Sequence, residues 1–127
     1  MAKKEKIYRC EICGNIVEVL HEGAGTLVCC GQDMIELEEK NIDEGLEKHV
    51  PLISIEGDTV TVKVGDIPHP MEEKHHIEFI ELITDTQRYI QYLKPNEKPE
   101  VTFKLPEKYT QILAKEYCNI HGLWISK

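Results

Sequence analysis

The stretch "DTVTVKV", residues 58–64, determines the fold of the larger part of the chain. Its three valines alternate with two threonines and a lysine, so a strand here has one apolar and one polar face. Further short runs rich in β-branched and aromatic residues follow: "HIEFIELI" (76–83), "RYIQYL" (88–93) and "VTFKL" (101–105). A later segment, "EKYTQILAKEY" (107–117), has apolar spacing that suits a helix as well as a strand, and we predict a strand. About five to seven strands punctuated by proline and glycine predict an all-β, antiparallel sandwich of immunoglobulin-like size.

The first 36 residues differ in composition from this strand-rich part. They hold four of the five cysteines, with a short alternating strand, "NIVEVL" (15–20), and a glycine-rich turn between the two cysteine pairs. So short a piece buries too small a core to offset the ordering of its chain, so it requires a metal, a cross-link or a partner. An acidic stretch with few large apolar residues comes next. We therefore predict a domain at 1–36, a linker at 37–48 and a second domain at 49–127.

Charge and hydropathy exclude several classes of partner. The 127 residues carry 15 Lys and Arg against 23 Asp and Glu, a net charge of −8, which argues against nucleic acid and anionic membranes. No apolar run approaches the roughly 20 residues that span a bilayer, and the basic start precedes no apolar signal segment. We expect a cytoplasmic protein, in which cysteines bind metals or act in catalysis rather than form disulfides.

The four N-terminal cysteines have the spacing of a metal site. Cys10 and Cys13 form C-x-x-C, and Cys29 and Cys30 are neighbours. A two-residue spacer lets two thiolates reach one ion from a tight turn, and a hairpin brings a second pair across. Spacing alone leaves zinc and iron equally open, and disulfides are the weaker alternative.

A second group of metal-binding residue types lies in the strand-rich part. Cys118 and His121 form a C-x-x-H turn that Gly122 closes, and His69 stands between two prolines. The remaining histidines of this part are His49, His75 and His76. They predict a mononuclear His/Cys metal site, although a Cys118 nucleophile with a His121 base is an alternative. His21, alone in the first region, reads as a solvated loop residue.

Strand parity distinguishes the paired histidines. Neighbouring residues of a strand point to opposite faces. His75 shares its parity with Ile77 and Phe79, whereas His76 shares it with Glu78. We therefore predict that His75, and not His76, is the ligand.

Five stretches resemble one known family. "YRCEICGNIVEVL" (8–20) and "LVCCGQDM" (27–34) resemble the desulforedoxin module. "EKHVP" (47–51), "GDIPHPMEEKHHIEFIEL" (65–82) and "EYCNIHGLW" (116–124) resemble the neelaredoxin-type catalytic domain. In this order they resemble the desulfoferrodoxins, which are two-iron superoxide reductases. His76 and Phe79 depart from the usual family residues, and neither is a candidate ligand.

The resemblance implies a fold, a reaction and two iron sites. The implied fold is a small metal-stapled desulforedoxin-like domain followed by an immunoglobulin-like β-sandwich. The implied reaction is one-electron reduction of superoxide to hydrogen peroxide. The implied electron donor is a rubredoxin-like protein, and the implied assembly is a homodimer. The implied ligands of an FeS₄ centre are Cys10, Cys13, Cys29 and Cys30. Those of the catalytic iron are His49, His69, His75 and His121 in a plane, with Cys118 axial.

Two residues beside His49 acquire roles from the same resemblance. Lys48 is a positive charge that attracts superoxide and assists protonation, and Glu47 closes the sixth iron position in the resting ferric state. Without the family, both read as ordinary charged surface residues. The alternative function is a non-catalytic electron-transfer or zinc-binding module.

Overall fold

The computed structural model describes residues 2–42, 49–65, 69–106 and 108–126. Within these ranges every helix or strand is a β-strand, twelve in total, so the predicted all-β class is confirmed. The chain divides into two compact units, Met1–Glu38 and Glu39–Lys127. No helix among the described residues could span a bilayer.

The first unit is a small antiparallel assembly. Its strands are β1 (Ile7–Arg9), β2 (Ile16–Glu18), β3 (Val28–Cys29), β4 (Gln32–Asp33) and β5 (Ile35–Glu36). Strands β2, β1 and β5 form one sheet in that order, and β3 pairs with β4 in a hairpin. One buried cluster here consists of Ala2, Tyr8 and Val19, with Leu27 and Met34 packed against it. Ile7, Cys10 and Leu37 are also buried. So few buried side chains among the described residues of this unit are what the expected need for a staple rests on.

The second unit is a sandwich of two antiparallel sheets. Its strands are β6 (Pro51–Glu56), β7 (Thr59–Val64), β8 (Ile77–Thr84), β9 (Arg88–Tyr92), β10 (Glu100–Lys104), β11 (Ile112–Cys118) and β12 (Gly122–Ile125). One sheet has the order β10-β7-β6 and the other β12-β11-β8-β9. A buried core joins the two sheets: the valines of β7 pack with Ile80 and Leu82 of β8.

The alternation in "DTVTVKV" has the predicted effect. Val60, Val62 and Val64 are fully buried, whereas Lys63 between them is exposed. The ambiguous segment 107–117 contributes a strand, as predicted, which begins at Ile112. Strand β6 is an addition to the predicted set. It begins at Pro51 on the edge of its sheet, a position where proline's missing N–H costs no ladder hydrogen bond.

A β-bulge interrupts strand β8 near its start. Tyr117 pairs with Phe79, but Cys118 pairs with Ile77, so Glu78 has no opposite residue. Ile77 therefore shares the core with the even-numbered Ile80 and Leu82. The parity used to distinguish His75 from His76 does not continue through Phe79, because an extra residue in one strand reverses the alternation.

The first residues of the predicted linker, 37–48, form backbone hydrogen bonds with one unit or the other. The Leu37 N–H donates to the Ile7 carbonyl within the first unit at 2.8 Å. In the second unit, Lys40 pairs with the edge strand β12: its N–H donates to Leu123 O, and Ile125 N–H donates to Lys40 O at 2.8 Å. Residues 43–48 of the predicted linker lie outside the described ranges.

A buried ion pair connects the start of the second unit to strand β11. Lys115 Nζ lies 2.6 Å from Glu39 Oε2, and the two side chains are 3% and 16% exposed. Removing one member of such a pair leaves a buried charge uncompensated. We therefore expect Lys115→Met to lower the free energy of unfolding of this unit by about 3 kcal/mol, measured by urea unfolding followed by circular dichroism.

Lys63→Met is the matched control, since it removes an exposed lysine from the neighbouring sheet. Its effect is expected to stay within about 0.5 kcal/mol. A loss in Lys115→Met no greater than in this control would contradict the stabilising role of the pair.

Candidate metal centres

Five predicted ligands of the second unit converge on one place. One ligand atom from each of five residues lies within 4.8 Å of the others, and these residues are His49, His69, His75, Cys118 and His121. Three separate parts of the chain supply them: His49 lies just before β6, His69 and His75 lie in the β7–β8 connection, and Cys118 and His121 lie at the end of β11 and in the turn that follows it. The fold thus gathers residues that are up to 72 positions apart.

The turn between β11 and β12 places Cys118 and His121 side by side. Cys118 and Gly122 are paired across the ladder, and Gly122 has φ of +84°, a conformation that glycine adopts without strain. The His121 N–H donates to Cys118 Sγ at 3.4 Å. Burial raises the pKa of the Cys118 thiol, and the N–H groups of His121 and Ile120 partly oppose this. A bound cation is what would hold this buried sulfur as a thiolate.

The four histidines form a closed circuit of rings. Each ring meets two others edge-on, with centroid separations of 4.6 to 5.0 Å and interplanar angles of 63° to 82°. The circuit runs His49, His69, His75, His121 and back to His49. His49 Nε2 and His121 Nδ1 are 3.0 Å apart. Such crowding of imidazole nitrogens suits a shared metal ion, since neutral imidazole is a metal ligand.

His69 is the clearest indication that this cluster fits a metal. It is 3% exposed, and its Nδ1–H donates to the Pro70 carbonyl at 2.7 Å. Its other nitrogen, Nε2, is buried and has no hydrogen-bond partner among the described residues. Burial lowers the pKa of His69 to about 4, so the ring is neutral at physiological pH. A carbonyl on one ring nitrogen and an open lone pair on the other is the usual arrangement of a metal-bound histidine.

Two residues that the sequence did not single out support the cluster from outside. Trp124 stacks on His49 with centroids 4.6 Å apart and an angle of 16°, and its Nε1–H donates to His121 O at 3.2 Å. Lys40 Nζ donates to the same carbonyl at 3.1 Å and lies 5.4 Å from the Trp124 ring centre. Trp124 is in the motif 116–124, but no pattern in the sequence connects Lys40 with it.

The remaining predicted residues fall outside this cluster. His76 is adjacent to it in sequence but is not among the five gathered residues; its N–H donates to Asn119 Oδ1 at 2.9 Å. His21 is exposed in a loop of the first unit. Lys48 and Glu47 lie outside the described residues, so their roles remain predictions.

The four cysteines of the first unit form the second cluster. Their sulfurs lie within 4.8 Å of one another. The Cys13–Cys29 and Cys29–Cys30 sulfur separations are 3.5 and 3.9 Å, and all are free thiols, so the disulfide alternative does not hold. Cys30 has φ of +55°, uncommon for a residue with a side chain. This tight turn brings the sulfurs of neighbouring residues to the same place.

Electrostatics in the four-cysteine cluster also favour a cation. A hydrogen bond from the Cys13 N–H lowers the pKa of Cys10 to about 6. Interaction with the Cys13 thiol raises the pKa of Cys29 and, to about 12, that of Cys30. The proximity of the other thiols thus opposes ionisation of Cys29 and Cys30, and a metal ion between the sulfurs would supply the opposing positive charge.

Comparison with known proteins agrees with the division of the chain into two units. Residues 2–37 match the family model described as "Desulfoferrodoxin, N-terminal domain", and residues 41–127 match "Desulfoferrodoxin". A desulfoferrodoxin from Syntrophotalea carbinolica is 54% identical over 127 residues, covering 100% of this chain and 99% of the relative. A desulforedoxin from Megalodesulfovibrio gigas is 58% identical over 36 residues, covering 28% of this chain and 97% of the relative. The superoxide reductase structure from Treponema pallidum has a TM-score of 0.81 at 27% identity, covering 96% of this chain and 97% of the other.

Proposed function

Because this chain belongs to the desulfoferrodoxin family, we propose that it is a superoxide reductase whose reaction takes place at the cluster of four histidines and Cys118. The observation that carries the proposal is the convergence of these five ligand atoms within 4.8 Å. The protein holds two irons per chain, one in an FeS₄ centre and one in a His₄Cys centre. It reduces superoxide by one electron to hydrogen peroxide.

Iron bound at the His₄Cys centre supplies the one-electron redox change and Lewis acidity that the reaction needs. The protein supplies the ligands, and in the case of His69 it also sets the protonation state that binds metal. His69 is held neutral by burial and oriented by the Pro70 carbonyl. Cys118 is fully buried and accepts the His121 N–H, so its sulfur is shielded from water. The four imidazoles and the Cys118 sulfur would be the five protein ligands of this iron.

The FeS₄ centre belongs to the first unit, and we assign its ligands to Cys10, Cys13, Cys29 and Cys30. The support is their mutual proximity in a unit with few buried side chains among its described residues, which a metal would stabilise. We propose domains at 1–36 and 49–127, with 37–48 between them, and within that stretch Lys40 pairs with β12 of the second unit. The free thiols suit a reducing cytoplasm, which is the proposed location. The proposed electron donor is a rubredoxin-like protein, and the proposed assembly is a homodimer. The proposed role in the cell is removal of superoxide.

An optical spectrum and a rapid-mixing experiment test the function. The oxidised protein is expected to be pink from the FeS₄ centre, with an additional blue or grey band from ferric iron at the His₄Cys centre. Ferrous protein mixed with pulse-generated superoxide should react in a second-order step and yield one hydrogen peroxide per superoxide. A colourless, zinc-containing protein would favour the zinc-module alternative. A coloured protein that does not consume superoxide would favour the electron-transfer module.

Lys48 provides a test of how an acidic protein attracts an anion. It directly precedes His49 in the sequence, while the chain as a whole carries a charge of −8. Only a nearby positive charge offsets that repulsion, because screening limits its reach to about 8 Å at physiological salt. We expect Lys48→Ile to retain its iron and to slow the second-order reaction with superoxide by about ten-fold or more at low salt.

Lys63→Ile is the control, since it removes the same charge from strand β7. Its rate constant should stay near that of the wild type, and the deficit of Lys48→Ile should shrink as salt is added. Glu47→Ala should leave the rate nearly unchanged and alter the resting ferric spectrum. An unchanged rate constant for Lys48→Ile at low salt would remove Lys48 from the mechanism.

A further inference from the structure

We propose that Asn119 is a positioning residue that holds the His75 segment against the turn carrying Cys118 and His121. Asn119 has no predicted role among the metal ligands, and its side chain is half-buried between these two parts of the chain. The proposal rests on the proposed function in one respect: it treats the His₄Cys cluster as an iron site.

Asn119 makes three hydrogen bonds to the residues on either side of His75. Its Oδ1 accepts the His76 N–H at 2.9 Å, and its Nδ2 donates to the Lys74 carbonyl at 3.0 Å. Its own backbone N–H donates to the His76 carbonyl at 3.2 Å. One side-chain amide therefore satisfies a donor and an acceptor that flank His75.

The position of these bonds explains why a side chain is needed there. The ladder between β8 and β11 shifts register at Cys118 and ends at the Cys118–Ile77 pair. His75 exchanges its own backbone hydrogen bonds with Glu72, at 2.9 and 3.1 Å, within the same connection. Beyond the bulge, the Asn119 amide takes over from regular strand pairing, as asparagine side chains commonly do for backbone groups in loops.

The consequence concerns the spacing of the metal ligands. Asn119 directly follows Cys118 and lies two residues before His121. A bond from Asn119 to both neighbours of His75 therefore fixes His75 relative to the other two ligands. Residues that hold metal ligands in place in this way strongly affect metal affinity, although they do not bind the metal themselves.

The test compares Asn119→Ala with the wild type in the full-length, iron-loaded protein. We expect iron to leave the His₄Cys centre for a competing chelator about ten-fold to a hundred-fold faster, followed by loss of that centre's optical band. In metal-free protein, the His76 amide should exchange its hydrogen faster, which tests the contact whether or not iron binds. Asn41→Ala, at an exposed asparagine of the same unit, should behave as the wild type in both measurements.

A second variant separates positioning from general stability. Asn119→Asp keeps an oxygen that accepts the His76 N–H but loses the donor to Lys74 O. It should restore His76 amide protection and release iron at a rate between wild type and Asn119→Ala, with an unchanged thermal unfolding midpoint. If Asn119→Ala does not fold, faster iron release from Asn119→Asp at that unchanged midpoint supports the proposal.

Wild-type iron retention and wild-type His76 exchange in the alanine variant would overturn the proposal, as would a wild-type release rate in Asn119→Asp when the alanine variant is unfolded. A wild type that binds no iron at this cluster would instead refute the proposed function, while the His76 exchange experiment would still report on Asn119.

Discussion

His75→Ala is expected to lose the iron of the His₄Cys centre and the reaction with superoxide, whereas His76→Ala keeps both. The two histidines are neighbours in sequence, yet only His75 contributes a nitrogen to the five gathered ligand atoms. Its ring lies between those of His69 and His121, 4.8 and 4.9 Å away. Removing it breaks the circuit of four rings and leaves the iron with one ligand fewer.

The size of the effect distinguishes a ligand from a supporting residue. Loss of a supporting residue weakens metal binding by about ten-fold to a hundred-fold, so we expect the loss in His75→Ala to exceed that range. Iron content, the optical band of the centre and the superoxide rate constant are the three measurements. Iron loss in His76→Ala with retention in His75→Ala would reverse the assignment of the two residues.

Cys13→Ser is expected to remove the FeS₄ iron without affecting superoxide reduction by chemically reduced enzyme. The two ligand clusters lie in different compact units, and each draws all of its ligands from its own unit. Cys13 Sγ is 3.5 Å from Cys29 Sγ, and serine is a poor replacement for a thiolate on iron. Because few side chains among the described residues of the first unit are buried, we also expect its backbone amides to lose protection from hydrogen exchange.

The reciprocal variant completes this experiment. Cys118→Ala should lose the His₄Cys iron and the reaction with superoxide while the pink FeS₄ centre remains. Metal analysis and optical spectra of both variants measure the outcome. Loss of both irons from Cys13→Ser, with the second unit still folded, would contradict the separation into two sites.

Much of the sandwich was predictable because its strands obey simple alternation. The three valines of β7 are buried as their spacing predicts, since one face of that strand meets the core and the other meets solvent. Strand β6 is harder to recognise, because it is an edge strand whose residues Leu52 and Ile55 stay exposed. The β-bulge opposite Cys118 has no signature in the sequence, because it depends on the pairing of two strands distant in the chain.

The candidate ligands were predictable because their residue types, cysteine and histidine, bind metals. Cysteine and histidine are scarce enough for their spacing to indicate metal sites, and the structure brings the proposed ligands together in two clusters. Residues that support a site through backbone groups carry no such signal. Lys40 reaches the His121 carbonyl across 81 positions, and Asn119 acts on the backbone of residues 43 and 45 positions away.

The stacking of Trp124 on His49 gives the protein a built-in optical reporter. Trp124 is the chain's only tryptophan, and its ring lies face to face with His49 at 4.6 Å. An excited indole so close to an open-shell metal loses its energy without emitting light. Ultraviolet-excited emission should therefore be dark in the iron-loaded enzyme and appear as iron leaves the His₄Cys centre. A single fluorescence trace would thus follow occupancy of the His₄Cys centre.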